Sequence, residues 1–447
     1  MIKKSKITIL GGGPAGIGTA YYCHKNQIEY NLFEMASEVG GNCQTFKNKE
    51  FLYDSGAHRL HDKDAQTTKD IKKIMGKELM KIEVPSQIYL NSRFIDFPLS
   101  PWNLFKFLGL KTAIIEFTKL VAFKLKNRDK NIKNFEDFAF KTYGKKLANL
   151  FLIGYSQKLW GLPCKKLSPE IAGKRLKGLN LATLILEIFQ FKNKKTKHLD
   201  GEFYYPKNGI GSIFTEIRLQ TNRKNYFLNN KITKITHNNK KIQSIESNNV
   251  KNHSVDYLVS SLSLDILAKL MSPKIPNTVQ NAIKSIKYRD IILVTFFINK
   301  KNINKNGSMY FPSKSFSFTR IYEAKNRSQN MSPYNKTSLS VEIPTHHSSS
   351  IWNSSDITIQ NKIKNELLSL NFFNEKEIID IEIRKINKAY PILDISYQSH
   401  VEVIMDYFSQ FKNLTINGRN GKFQYTHIHD HFRDARNIIE NLKNNFI

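Results

Sequence analysis

Residues 6–10, KITIL, form a short apolar run that stops at three glycines, and the following IGTAYYCHKN (17–26) has helical composition. A second apolar run, YNLFE, ends at Glu34. The first 34 residues therefore predict a strand, a glycine turn, a helix and a second strand. Further along, Phe107, Leu110, Ile114, Phe117, Val121 and Leu125 recur at intervals of three and four, predicting an amphipathic helix over 103–126. Its apolar face suits a protein core, and its lysines also suit the surface of an anionic membrane. Asn134 and Asp137 stand at capping positions ahead of FAFKTYGKKLANLFLIGY, within a stretch from about 66 to 200 that reads as mostly helical. From residue 202 the texture turns to β, in EFYYPKNG, YFLNNKITKI, DYLVSSLSL, DIILVTFFINK, TSLSVEIP and IIDIEIRKI. DHFRDARNIIENLKNNF closes as a helix. No repeat with a period of roughly 20–50 residues is present.

Composition narrows the field. The 447 residues are 40% hydrophobic and 12% aromatic, which is globular, and long enough for two or three lobes. With 69 Lys and Arg against 38 Asp and Glu, the formal net charge is +31, a field that favours anionic partners. The competing reading is compositional, since Lys, Asn and Ile fill loops such as THNNKKIQSIESNNVKN. No basic run is interleaved with aromatic residues, so no nucleic-acid partner is expected. The three cysteines form no CxxC pair, which fits a reducing compartment. No run reaches the roughly 18–20 apolar residues of a membrane span, and the N-terminus does not read as a secretory signal. A cytoplasmic protein is expected, with peripheral contact at the inner face of an anionic membrane as a variant of that reading. Nothing in the sequence speaks to oligomeric state.

The chemistry begins at Gly11-Gly12-Gly13-Pro14-Ala15-Gly16, a GxGxxG between strand and helix. Gly11 permits the tight turn, Gly13 lets a pyrophosphate approach the backbone, and Gly16 lets the helix pack on the strand. The helix that starts at Pro14 offers free N–H groups, from Ala15 onward, to phosphate. Glu34 lies 23 residues after Gly11, where an acid can bind ribose hydroxyls. Dinucleotide binding is the expectation. His58 and His61, three residues apart, could on spacing alone be metal ligands, catalytic groups or loop residues. His346-His347 has no acid at ligand spacing, and no metal is expected.

A second glycine pair, Gly40-Gly41, followed by Asn42, resembles FAD proteins of the amine oxidase and protoporphyrinogen oxidase superfamily. The resemblance spreads along the chain, toward the branch that contains UDP-galactopyranose mutase. SGAHRLHD (55–62) is similar to the GPHxFH segment of the mutases, which passes beside the flavin ring, and this disfavours a metal role for the two histidines. Tyr155 to Gly161 resembles YTxKxWG, whose tryptophan lines the substrate pocket, and Tyr205 to Gly209 resembles the PKGG turn. Thr319 to Lys325 resembles TRxxExK, Ala389-Tyr390-Pro391 the YYP segment, and Gly418 to Tyr425 the GRxGxYxY block that closes the FAD site.

What the resemblance implies is an α/β fold with α+β insertions. A Rossmann-type FAD-binding domain would be assembled from 1–65, 205–262 and 401–447. A mainly helical cap would span 66–204 and a mixed, largely antiparallel-sheet substrate domain 263–400. FAD would be held by Gly11, Gly13, Pro14, Ala15, Gly16 and Glu34, then by Gly40, Gly41, Asn42, Gly56 and His58. Ile232, Gly418, Arg419 and Tyr425 would complete that site. His58, Trp160, Arg175, Arg320 and Tyr390 are the implied substrate-side residues, with Arg320, Arg175 and Tyr390 as diphosphate clamps. Core packing for Trp160, and solvent-facing roles for Arg320, Lys158, Tyr155 and Arg175, are the competing readings.

The sequence also departs from the mutases. LATLILEIFQF (181–191) replaces a polar, uracil-holding stretch, Ile343 occupies a tyrosine position, and His427 and His429 fall within what would be YxDMD. The expectation is therefore an FAD-dependent oxidoreductase in surface-glycan or cell-envelope metabolism. Its small-molecule substrate would be a nucleotide sugar or another phosphorylated or lipid-linked glycan precursor. A mutase of a nucleotide sugar using reduced FAD is the first alternative, and a catalytically silent FAD-stabilised scaffold the second.

Overall fold

The computed structural model describes residues 5–445 except 98, 100, 110, 113, 117, 120–130 and 174–201. Ile7–Leu10 is buried at all four positions, with Tyr30–Phe33 on one side and Tyr257–Ser260 on the other. Tyr226–Phe227 and Leu414–Ile416 complete a five-stranded sheet in which every pairing is parallel. A parallel sheet covered on both faces needs apolar residues on both, which is why ITIL, YNLF and YLVS read as nearly unbroken apolar runs. Helix Pro14–Lys25 packs beside the closing helix Ile428–Asn445, and Gly18 allows the approach. A Cβ at Gly18 would lie 3.3 Å from the Cβ of Ala435. The sheet thus draws its strands from the beginning, the middle and the end of the chain.

A seven-stranded sheet stands beside it, in the order Ile378–Pro391, Tyr288–Ile298, Thr337–Thr345, Arg320–Glu323, Ser308–Tyr310, Ser86–Leu90 and Arg93–Phe97. Its third strand Thr337–Thr345 is buried at all nine positions. Ile359, Ile363 and Leu367 of helix Asp356–Leu368 pack in the core cluster that contains Leu339 and Val341. Phe297 meets Phe51 and Tyr53, joining this sheet to the hairpin of strands Thr45–Asn48 and Phe51–Asp54. Among the described residues no helix is long and apolar enough to cross a membrane.

Two expectations require correction. The helix expected over 103–126 is interrupted: Pro101–Leu108 is helical, but Gly109 adopts φ 78°, a left-handed conformation that stops the first helix. Helical turns resume at Lys111, while Leu110, Phe117, Val121 and Leu125 lie outside the described residues. The stretch 66–204 is also less helical than its texture suggested. Leu79–Glu83 pairs with Glu202–Pro206, and Ser86–Leu90 and Arg93–Phe97 form a hairpin on the edge of the large sheet. Asn91 and Ser92 turn that hairpin with φ of 50° and 58°, the geometry of a tight two-residue turn. Ser86–Leu90 alternates buried and half-buried positions, the period of two that marks a strand. Where a cap was expected, Asn134 accepts the Asp137 N–H at 2.9 Å and starts helix Phe135–Tyr143.

Candidate functional site

The glycine loop leaves the sheet at Leu10 and turns at Gly11, whose φ is 94°. A Cβ at Gly16 would fall 1.8 Å from the Gly11 carbonyl oxygen, so strand and helix can meet only with glycine there. Gly41, at φ 54°, brings the second glycine pair onto the first: a Cβ on it would lie 2.9 Å from the Gly13 Cα. From the far end of the chain, Gly418 reaches the same place, with its Cβ position 3.2 Å from the Ala15 Cβ. No side chain caps helix Pro14–Lys25, so its first turn keeps N–H groups for a ligand.

Glu34 accepts the N–H of Gly12 at 2.6 Å and of Ala36 at 2.8 Å. The Asn230 N–H donates to the Glu34 carbonyl at 2.8 Å, which sets the segment entering strand Ile232–Asn238 beside this acid; Ile232 itself is buried. Asn42 donates to the Lys388 carbonyl at 3.4 Å. An open helix N-terminus, backbone cradles too tight for a Cβ and an acid at the second strand fit a dinucleotide's pyrophosphate and ribose.

Next to this cradle is a cavity of about 540 Å³. Ile88, Phe97, Phe135, Phe151, Leu152 and Leu159 supply much of its apolar wall. Trp160, Tyr390 and Tyr425 form an aromatic corner, with Trp160 centred 6.1 Å from Tyr390 and 5.5 Å from Tyr425. The Arg419 guanidinium lies over both tyrosine rings, 5.5 and 5.4 Å from their centroids, and donates to the carbonyls of Thr426 and Ala389. Arg419 therefore braces the corner from behind. Trp160, only 3% exposed, is both core packing and pocket wall, so its two readings coincide.

Arg320 also faces the cavity, but it is not an unpaired clamp. It stands directly opposite Glu342 across two antiparallel strands. Its Nε donates to Oε2 at 2.9 Å, and its Nη2 to Oε1 at 2.8 Å and Oε2 at 2.6 Å. Burial disfavours the charge on Arg320, yet Glu342 holds its pKa well above the ordinary arginine value. The solvent-facing alternative for Arg320 is thereby corrected. Glu342 Oε1 accepts the Ala57 N–H at 2.8 Å, and a Cβ on Gly56 would lie 3.3 Å from the same oxygen. The loop Gly56-Ala57 is thus tied to the polar floor of the cavity.

His58 follows the Gly56-Ala57 loop. Its ring turns to Ser55 Oγ at 3.3 Å and Cys43 Sγ at 3.7 Å, and it is absent from the cavity wall. Burial, reinforced by Arg419, Arg320 and Arg327, pushes its pKa down to about 3, so the ring is neutral. Lys158 is also turned away from the cavity: its Nζ donates to the carbonyls of Ser313 at 2.7 Å and Phe316 at 3.0 Å. Burial lowers its pKa to about 8. Tyr155 lines the cavity with Tyr310. Arg175 and the apolar run 181–191 lie outside the described residues.

Several residues enter the site that sequence reasoning left unassigned. Glu342 is foremost; an acid inside the apolar run TSLSVEIP, one strand away from an arginine, was the signal available. His427 and His429 line one end of the cavity with Lys63, Asp430 and Arg433. Their rings lie 5.7 Å apart, and His61 is 5.9 and 6.4 Å from them. Burial lowers the His429 pKa, against the nearby Asp430, whose Oδ2 lies 3.5 Å from its Nε2. Among the described residues no group of three or more His, Cys, Asp or Glu could hold a metal ion.

Known proteins give the arrangement a family. Protoporphyrinogen oxidase of Dictyostelium discoideum is 21% identical over 98% of this chain and 99% of its own length. Coproporphyrinogen III oxidase of Bacillus subtilis (strain 168) is also 21% identical, but the alignment takes in 52% of this chain and 55% of that protein. The structure of a reduced UDP-galactopyranose mutase superposes with a TM-score of 0.85 at 19% identity, covering 98% of this chain and 94% of that one; at that identity the likeness is one of fold. The family profile described as flavin containing amine oxidoreductase matches residues 14–436. The chain belongs to that family of flavin-dependent oxidoreductases, and FAD is its cofactor.

Proposed function

We propose that the chain oxidises a substrate with a sizeable apolar body and a polar group that is uncharged or internally balanced. The observation that carries this reading is the balance of charge in the cavity. Among the described residues its wall holds three carboxylates, Glu170, Glu342 and Asp430, and three cations, Lys63, Arg320 and Arg433, in a chain whose net charge is +31. A pocket meant to trap a multiply charged anion would leave cations unanswered at its floor.

FAD, when bound, supplies the electron-accepting chemistry. The chain's own residues do the rest. Trp160, Tyr390 and Tyr425 would orient the substrate, and the apolar wall would exclude water. His427 and His429 stand at one end of the cavity, where their rings would meet the substrate's polar group. We further place the protein in surface-glycan or cell-envelope metabolism, a context supported by the fold shared with a UDP-galactopyranose mutase.

A second reading, isomerisation of a nucleotide sugar with reduced flavin, is favoured by the meeting of Tyr155, Trp160, Arg320 and Tyr390 in one cavity wall. One experiment separates the readings. Purified yellow protein is mixed anaerobically with apolar glycan and cell-envelope intermediates, and separately with UDP-galactopyranose, with and without dithionite. Flavin bleaching by an apolar intermediate supports oxidation, while furanose formed only after reduction replaces it with the mutase. Protein inert to every candidate tried would favour a scaffold role.

A further inference from the structure

We infer that Glu342 is a specificity-determining residue, which cancels the charge of Arg320 so that the cavity rejects anionic groups. The inference rests on the proposed reading of the cavity as the substrate site. Its physical basis is the position of the pair. Both residues line the cavity, with 18% of the Arg320 side chain and 4% of the Glu342 side chain exposed. The carboxylate takes the Nε–Nη2 edge of the guanidinium, an edge that a phosphate or carboxylate ligand would otherwise use.

Glu342 cannot readily give way to such a ligand. It is clamped from a third direction by the Ala57 N–H, and it projects from a strand buried along its whole length. An incoming anion would therefore have to displace a buried carboxylate or sit beside it, and both are unfavourable in a site screened from water. An incoming alkylammonium meets the converse obstacle, because the acid it would seek is already occupied. A neutral hydroxyl, amide or carbonyl meets neither.

The alternative is that the pair only ties two strands together. Removing one charge at a time distinguishes the two ideas, because a purely structural tie predicts loss and a charge filter predicts a gain. The probes are inorganic pyrophosphate and butylamine, titrated into FAD-loaded protein and followed by calorimetry and by the flavin absorbance spectrum. Glu342→Gln should bind pyrophosphate about ten-fold more tightly than wild type or better, and Arg320→Gln should show a comparable gain for butylamine. The double variant, which buries no unpaired charge, should bind both probes as weakly as wild type. If Glu342→Gln does not fold, Arg320→Gln and the double variant decide the matter on the same terms. Folded, yellow single variants with unaltered preferences would overturn the inference while leaving the proposed substrate class standing. Wild type that itself binds pyrophosphate tightly, with that binding lost in Arg320→Gln, would overturn both.

Discussion

His431 is buried, and burial together with the nearby charge of Arg419 pushes its imidazole down to about 3. An unfolded histidine titrates near 6.5, so below that pH the unfolded chain binds a proton that the folded chain refuses. The stability concerned is complete above about pH 6.5 and is lost as pH falls towards 3, at about 1.4 kcal/mol per pH unit. His431→Gln should flatten the acid side of the stability curve by that amount, read from urea unfolding between pH 7 and pH 5. An unchanged slope would mean that other groups set it. At Gly41 the constraint is geometric. Alanine would be strained both by its positive φ and by the 2.9 Å approach to Gly13, at a cost of about 1–3 kcal/mol. Gly41→Ala should retain the fold and lose FAD affinity, measured by the flavin that remains bound after gel filtration.

At the scale of elements, the sequence was most legible where structure is local. The strand, glycine turn, helix and acid of residues 6–34 lie within one βαβ unit, so spacing alone placed them. The helix expected over 103–126 shows the limit: its apolar spacing passes straight through Gly109, whose left-handed backbone outweighs periodicity. The hairpin at Ser86–Phe97 escaped notice because Asn91-Ser92 carries no glycine, though both residues adopt positive φ. Relieving one of them should help. Ser92→Gly is expected to stabilise the protein by about 0.5–1 kcal/mol in thermal melts. Glu342 was illegible for a different reason. Its partner lies on the neighbouring strand, 22 residues away, and only the antiparallel register puts the two face to face. The imidazoles of His61 and His429 meet across most of the chain length, which no local motif announces.

The whole molecule combines a charge-balanced cavity with a strongly basic chain. At +31 it should be drawn to anionic bilayers by a field that salt screens over about 10 Å at 0.1 M. We expect co-sedimentation with phosphatidylglycerol vesicles at low salt and release in about 0.5 M NaCl. Binding that persists in high salt would point to apolar insertion instead. The discontinuous parallel sheet has a consequence for biosynthesis. Leu414–Ile416 and Gly418 close the glycine cradle that Gly11 to Gly16 begin and that we propose holds FAD, so some 400 residues separate its two walls. At a synthesis rate of about 5–20 residues per second, the nascent chain exposes its glycine loop for tens of seconds before the last wall exists. Cofactor capture is therefore a late event in the life of each molecule, and premature termination before Leu414 should yield colourless chains.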